Sequence, residues 1–234
     1  MSTDRAGPLG DLQAPFVRPS GATEILLVRH GSATEGQSAS PVSPHRSDGH
    51  ADPCLSAAGT AQARAIARRV ARLPVDRLFV TTLRRTQQTA EPISDALRLA
   101  PEVVHDLREV GLGDLEGDEF EKRRLAGDPV LTQAYATQRW DVIPGAEPMA
   151  VFAERVRRGL EHLARATGPD ATAVAVVHGG VIAELCHQVT GSDRFAFINV
   201  ENASITMLLR TAAGRWRLRS FNDTAHLPPA ALRR

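Results

Sequence analysis

Two short apolar runs in this chain end on a histidine. The first leads into Leu27-Val28-Arg29-His30-Gly31-Ser32, the second is Val174-Ala175-Val176-Val177-His178-Gly179-Gly180. An arginine and a histidine side by side, just past a buried strand, are costly to desolvate unless they hold an anion. The turn Leu83-Arg84-Arg85-Thr86-Gln87-Gln88-Thr89-Ala90 offers further guanidinium groups. The segment Leu107-Arg108-Glu109-Val110-Gly111-Leu112-Gly113-Asp114-Leu115-Glu116-Gly117 offers carboxylates. Two histidines, two arginines and a carboxylate are the groups needed to move a phosphoryl group through a phosphohistidine.

The elements around these residues follow from apolar patterning. Residues 25–28, 78–80 and 173–177 are continuous apolar runs, as in strands covered on both faces, and residues 103–104 begin a weaker strand. Ser56 is an N-cap for a helix reaching about residue 73, with Ile66, Val70 and Leu73 on one face and Arg64, Arg68 and Arg72 on the other. A helix over about 85–97 contains Pro92, expected to shorten or bend it. Residues 118–148 read as a helical excursion closed by Ile143-Pro144-Gly145. Pro148 opens a long helix with Phe152, Val156, Leu160 and Leu163 on one face. A helix over 181–189 stops at Gly191, and residues 204–209 and 216–221 alternate around Ala213-Gly214 as a closing hairpin. Strands alternating with helices predict a three-layer α/β/α sandwich with a mostly parallel central sheet. Ligands in such sheets bind beyond the carboxyl ends of the strands, where Arg29, His30, His178, the turn at 81–85 and Glu109 all fall.

Composition narrows the rest. At 234 residues the chain suits a flexible tail over 1–22 and a single domain over 23–234. The net charge of +1 gives no argument for nucleic acid or an anionic membrane surface, and no apolar run approaches a membrane span. Lys122 is the only lysine among the basic residues. Two cysteines, Cys54 and Cys186, imply no disulfide framework. With no apolar leader at the start, a soluble, cytoplasmic protein is expected. His45, Asp48, His50, Asp52 and Cys54 are metal-ligand types, but their spacing fits no zinc signature and they are expected to form a polar loop. Oligomeric state is left open, with a homodimer among the options.

Taken together, Leu27-Val28-Arg29-His30-Gly31, Arg85-Thr86-Gln87-Gln88-Thr89-Ala90, Glu109 with Gly113-Asp114-Leu115-Glu116-Gly117, and Val177-His178-Gly179-Gly180 resemble the histidine phosphatase superfamily, which includes the cofactor-dependent phosphoglycerate mutases. The Asp52-to-Ser56, Gly59-to-Ala63 and Asn202-to-Ile205 segments match as well, so the resemblance spans residues 24 to about 225. It implies a phosphoglycerate mutase-like fold with His30 as nucleophile. Arg29 and Arg85 would grip the phosphoryl oxygens, for which guanidinium forks are suited. Arg85 is selected over Arg84, expected to face solvent, because the family's arginine directly precedes Thr-x-Gln-Thr-Ala. His178, once protonated, and the Gly179 amide at a helix N-terminus would add phosphate donors. Ser32 offers a hydroxyl ligand. Glu109 would be the general acid, a role favoured by a raised pKa that burial near other carboxylates would supply. Asp114 and Glu116 are then a solvated acidic turn.

The expected activity is a metal-independent phosphomonoester phosphatase, a hydrolase of the histidine acid phosphatase type, acting on a small phosphorylated metabolite. It calls for no cofactor, since arginines and histidines supply the positive charge. The alternatives are a phosphoglycerate mutase and a catalytically silent phosphate-binding scaffold. Against the mutase, residues 109–123 contain no histidine or tyrosine, where mutases carry Glu-Arg-His-Tyr-Gly. Specificity is expected in residues 32–54 and 118–148, with Arg123, Arg124, Tyr135, Arg139 and Trp140 lining an entrance or covering core.

Overall fold

Each continuous apolar run becomes a strand at the centre of one sheet. The computed structural model describes residues 15–34, 46–47 and 49–228. β1 (Thr23–Arg29) leads through a short ribbon, β2 (Arg46–Ser47) and β3 (His50–Ala51), to α1 (Ala57–Val70). β4 (Arg77–Val80), α2 (Arg84–Leu97) and β5 (Glu102–Val103) follow, then two 3-10 turns, His105–Leu107 and Gly113–Leu115, carrying the acidic segment. The excursion is α3 (Asp118–Leu125) and α4 (Pro129–Thr137). The chain closes with α5 (Met149–Thr167), β6 (Thr172–Val177), α6 (Gly179–Thr190), β7 (Ile205–Arg210) and β8 (Trp216–Asp223).

The sheet order is β5-β4-β6-β1-β7-β8. The first four strands are parallel, and β7 and β8 form the antiparallel hairpin at the edge. Side chains alternate across the sheet, so both faces need covering. Ile25, Leu27, Ala175 and Val177 face one way and pack with Phe152, Val156 and Leu163 of α5 and Val181, Ile182 and Leu185 of α6. Leu26, Val28, Val174 and Val176 face the other way, against Ile66 and Val70 of α1 and Ala90 and Ile93 of α2. This is the expected α/β/α sandwich.

Helix ends follow their local chemistry. Ser56 caps α1 by accepting from the Gly59 amide at 3.0 Å. Asp128 caps α4 through the Val130 amide, with Pro129 in the first turn, and Gly191 ends α6 at φ 70°. Leu83 cannot cap α2, and Asp52, 32 residues upstream, accepts from the Arg84 amide at 2.7 Å instead. α2 runs unbroken through Pro92 to a left-handed Arg98, so that proline does not shorten it. In the segment expected to be a flexible tail, Arg18 donates to Thr172 and to the Asp170 carbonyl, and the Gly21 amide donates to Asp170. Residues 1–14 lie outside the described residues. Among the described residues no helix is long and apolar enough to cross a membrane.

Candidate active site

The carboxyl ends of the four parallel strands deliver their next residues to one crevice. β1 delivers His30, β6 delivers His178, β4 delivers Thr81, and β5 leads into the turn bearing Glu109. The backbone after β1 is held on every side. The His30 amide donates to Val177 O at 3.0 Å, the Gly31 amide to Thr89 at 3.0 Å, and the Ser32 amide to Gln62 at 2.8 Å. Asn202 donates to His30 O at 3.1 Å. This loop lies directly on the first turn of α1. A Cβ at Gly59 would come within 1.9 Å of Ser32 O, and one at Gly31 within 2.5 Å of Gly59 O. Two glycines are what let these backbones meet.

His30 is buried. Its Nδ1 lies 2.8 Å from Gly31 O. A carbonyl only accepts, so Nδ1 carries the proton and Nε2 keeps its lone pair. The other contact agrees, since Arg85 Nε donates to His30 Nε2 at 3.2 Å. Burial, and then the Arg85 and Arg29 charges, hold the His30 pKa well below its usual value, with the Gly31 bond opposing. The imidazole is therefore neutral at pH 7, the form that can attack phosphorus.

Arg85 is buried and also donates to Ala51 O at 2.8 Å. Burial lowers its pKa, opposed by Glu109, Asp52 and Glu116. Arg29 donates to Val200 O, and its guanidinium lies against Gly179, where a Cβ would come within 3.3 Å of Nε. The expectation for Arg84 is corrected. Rather than facing solvent, it is partly buried and donates to Cys54 Sγ at 3.3 Å.

His178 is fully buried, with its ring 5.3 Å from that of His30 and Nε2 2.9 Å from Thr81 Oγ1. Its Nδ1 has no hydrogen-bond partner among the described residues. Burial, followed by Arg85, His30, His50 and Arg29, holds its pKa well below the usual value. In the resting site His178 is thus neutral, and the donor role expected of it requires that it first gain a proton. A bound phosphate dianion would reverse that balance of charge.

Glu109 accepts from the Val110 amide at 3.0 Å and, at the start of α6, from the Gly180 amide at 3.1 Å. Its carboxylate thus meets backbone donors where other carboxylates were expected. The loop bearing it is clamped by Arg155, all five of whose N–H groups are used. Three go to Asp106 O, Arg108 O and Glu109 O at 3.0, 2.6 and 2.8 Å. Two make a fork to Glu147 at 2.7 Å each. Glu147 in turn takes the Gly111 amide at 3.3 Å.

A cleft of about 700 Å³ opens on Arg29, His30, Arg85 and Glu109. Its walls come from both segments expected to carry specificity. Ala33, Thr34, His50 and Pro53 line one part, and Phe120, Lys122 and Leu125 another. Ser32, Gly179 and the fully buried His178 are not among the lining residues; His178 stands behind His30, and Ser32 contributes its backbone. Trp140 belongs to the core, in ring contact with Phe120, Tyr135 and Phe195. Arg123, Arg124 and Arg139 make surface ion pairs. A separate groove of about 680 Å³ between β5 and α5 holds none of the motif residues.

Three residues that sequence patterning treated as loop belong to the site. Glu116 is not a solvated turn residue, although Asp114 is exposed. Glu116 accepts from the Ala51 and Leu112 amides at 2.8 Å each and faces His50, so it ties the upstream loop to the acidic segment. His50 lines the cleft. Its pKa is lowered to about 4 by burial first, then by Arg108, Arg155 and Arg85, with Glu147 opposing. Asp52 is the cap of α2 described above. Among the described residues no three His, Cys, Asp or Glu side chains are grouped to hold a metal ion. His50, Asp52 and Cys54 have the partners just given, and His45 and Asp48 lie outside the described residues.

Comparison with known proteins gives a consistent picture. The family model for the histidine phosphatase superfamily (branch 1) matches residues 25–224. A metal-independent phosphoserine phosphatase of Arabidopsis thaliana is 31% identical over 215 residues, covering 89% of this chain and 84% of the relative. An uncharacterized phosphatase of Bacillus subtilis is 27% identical over 206 residues, covering 88% and 97%. Among solved structures, a mycobacterial glucosyl-3-phosphoglycerate phosphatase aligns with a TM-score of 0.69 at 27% identity, over 87% of this chain and 100% of that one. A Bacillus anthracis phosphoglycerate mutase shares the fold with a TM-score of 0.73 at 22% identity, over 88% and 96%.

Proposed function

Because this chain belongs to the histidine phosphatase superfamily, we propose that it is a metal-independent phosphomonoester phosphatase working through phospho-His30. The observation that carries the reading is the fixed tautomer of His30, with Nδ1 tied to Gly31 O and Nε2 presented to Arg85 in a cleft that also holds Arg29 and Glu109. In the first step His30 Nε2 bonds to phosphorus, the ester P–O bond breaks, and Glu109 gives its proton to the leaving alkoxide. Arg85 leaves its weak 3.2 Å bond to His30 for the phosphoryl oxygens, which Arg29 also meets. His178, taking a proton from solvent as the dianion arrives and returning it when phosphate leaves, would donate to the same oxygens. In the second step water attacks phosphorus, the P–N bond breaks, and Glu109 recovers a proton from the water. The sum is hydrolysis, with the enzyme restored.

The test is to turn over a generic phosphomonoester in EDTA, quench, and locate phosphate by mass spectrometry. Free phosphate and an acid-labile adduct on His30 are expected. His30→Ala should abolish turnover, and residual activity above about a thousandth of wild type would refute the covalent route. Interconversion of 2- and 3-phosphoglycerate without phosphate release would assign a mutase instead. Glu109→Gln should slow alkyl phosphates far more than nitrophenyl phosphate, whose leaving group needs no proton.

A further inference from the structure

The phosphoryl chemistry uses only part of the cleft. Arg29, His30, Arg85 and Glu109 account for one transferred group, yet the cleft has a volume of about 700 Å³, the size range of sites that enclose large organic ligands. The remaining wall is divided: His50, Glu116, Asp118, Glu121 and Lys122 give it a charged part, and a second part is apolar. Val110 and Leu112 follow Glu109 directly in the chain, and Phe120 and Leu125 face them from α3. Val110 belongs to the core and Leu112 packs against it, but the side chains from α3 are not simply core. α3 buries none of its residues, Phe120 is only partly covered where it meets Trp140, and Leu125 is 73% exposed. Apolar surface held open beside a charged site marks a place for a ligand of matching character.

From this we infer that the natural substrate is a monoester of an apolar alcohol, whose hydrocarbon part lies on Val110, Leu112, Phe120 and Leu125. The inference rests on the phosphatase reading and deepens it. The chain from the phosphorus to the ester oxygen passes Glu109, and the next residues along that wall are apolar. A small hydroxylated or carboxylated alcohol would leave the apolar part wet and could meet only the charged part, Lys122 among it. A hydrocarbon would cover it, and contacts remote from the reacting bond would then lower the barrier.

The test compares kcat/KM for ethyl, butyl and hexyl phosphate, with 2-phenylethyl phosphate, glycerol 1-phosphate and O-phosphoserine alongside. All leave as primary alkoxides, so leaving-group strength is nearly constant. A methylene fully removed from water is worth about a fourfold gain, so a partly open wall should give at least about twofold per methylene, or roughly 16-fold from ethyl to hexyl. Leu125→Ser should cut the hexyl-to-ethyl ratio at least threefold. Val151→Ser, at an apolar residue 54% exposed on α5 and outside the cleft, should leave that ratio unchanged. A flat or inverted series, with glycerol 1-phosphate or phosphoserine at or above hexyl phosphate, overturns the inference while leaving the phosphatase standing. A steep series that Leu125→Ser and Phe120→Leu both fail to change overturns the assignment of the wall. No hydrolysis of any member overturns the phosphatase reading and this inference together.

Discussion

Replacing Arg155 by methionine keeps a long stem over Phe152, whose ring the guanidinium approaches at 4.9 Å, and removes every polar contact of the clamp. The loss is one fork to Glu147 and three bonds to the carbonyls of 106, 108 and 109. The pair is mostly buried, with side chains only 12% and 17% exposed. Breaking a buried pair by deleting one partner costs about 3–5 kcal/mol, and residual solvent access places this case near about 3 kcal/mol. For a chain of this length that corresponds to a fall in Tm of roughly 6–12 °C. Urea denaturation of Arg155→Met, Glu147→Met and the double variant measures it. The double variant should recover at least about 1 kcal/mol of the summed losses, because no lone buried carboxylate remains. Activity gives a second readout that a purely structural role would not move. A shift of about 1 Å in Glu109 costs on the order of 100-fold, and it should appear with ethyl phosphate much more than with nitrophenyl phosphate. A destabilisation under about 1 kcal/mol, or equal losses on both substrates, would refute the role assigned to the clamp.

Gly59→Ala should displace the loop behind His30, since its new carbon would stand 1.9 Å from Ser32 O. A loss of about 1–3 kcal/mol from overpacking and roughly 100-fold in kcat/KM are expected, and wild-type kinetics would disprove the contact. Stability should fall as the pH drops from 7.5 to 5. His30, His50, His178 and His226 all have lowered pKa values. The unfolded chain therefore binds protons near pH 6.5 that the folded chain refuses. Their contribution is complete above about pH 6.5 and is lost below it, by up to about 1.4 kcal/mol per pH unit for each histidine. Glu147, with its lowered pKa, adds stability above the ordinary glutamate range that disappears only at lower pH. Denaturation midpoints that stay level from pH 7.5 to 5 would contradict this.

The parts of the site that sequence alone disclosed are those set by local pattern. A buried strand must end somewhere, and Arg29, His30 and His178 stand where two strands end, so both fold and crevice followed from apolar runs. The clamp was not legible. Arg155 sits on a helix whose apolar stripe explains its neighbours, and its partner Glu109 is 46 residues away. Glu116 looked like any acidic turn because the amide it binds, at Ala51, lies 65 residues upstream. The low resting pKa of His178 was not legible for a related reason. It is set first by burial and then by four cationic or titratable neighbours that the fold alone assembles.

The two ends of the segment between β1 and α1 lie side by side. Ala33 pairs with Leu55, the Thr34 amide donates to Cys54 O at 2.9 Å, and Asp52 and Ala51 are pinned to α2 and Glu116. With these ends stapled together, the distance that the intervening chain must close is set by the fold. Doubling its length would cost only about 0.6 kcal/mol in closure entropy. A change of length between Thr34 and Gly49 is therefore expected to leave the imidazole beneath it in place.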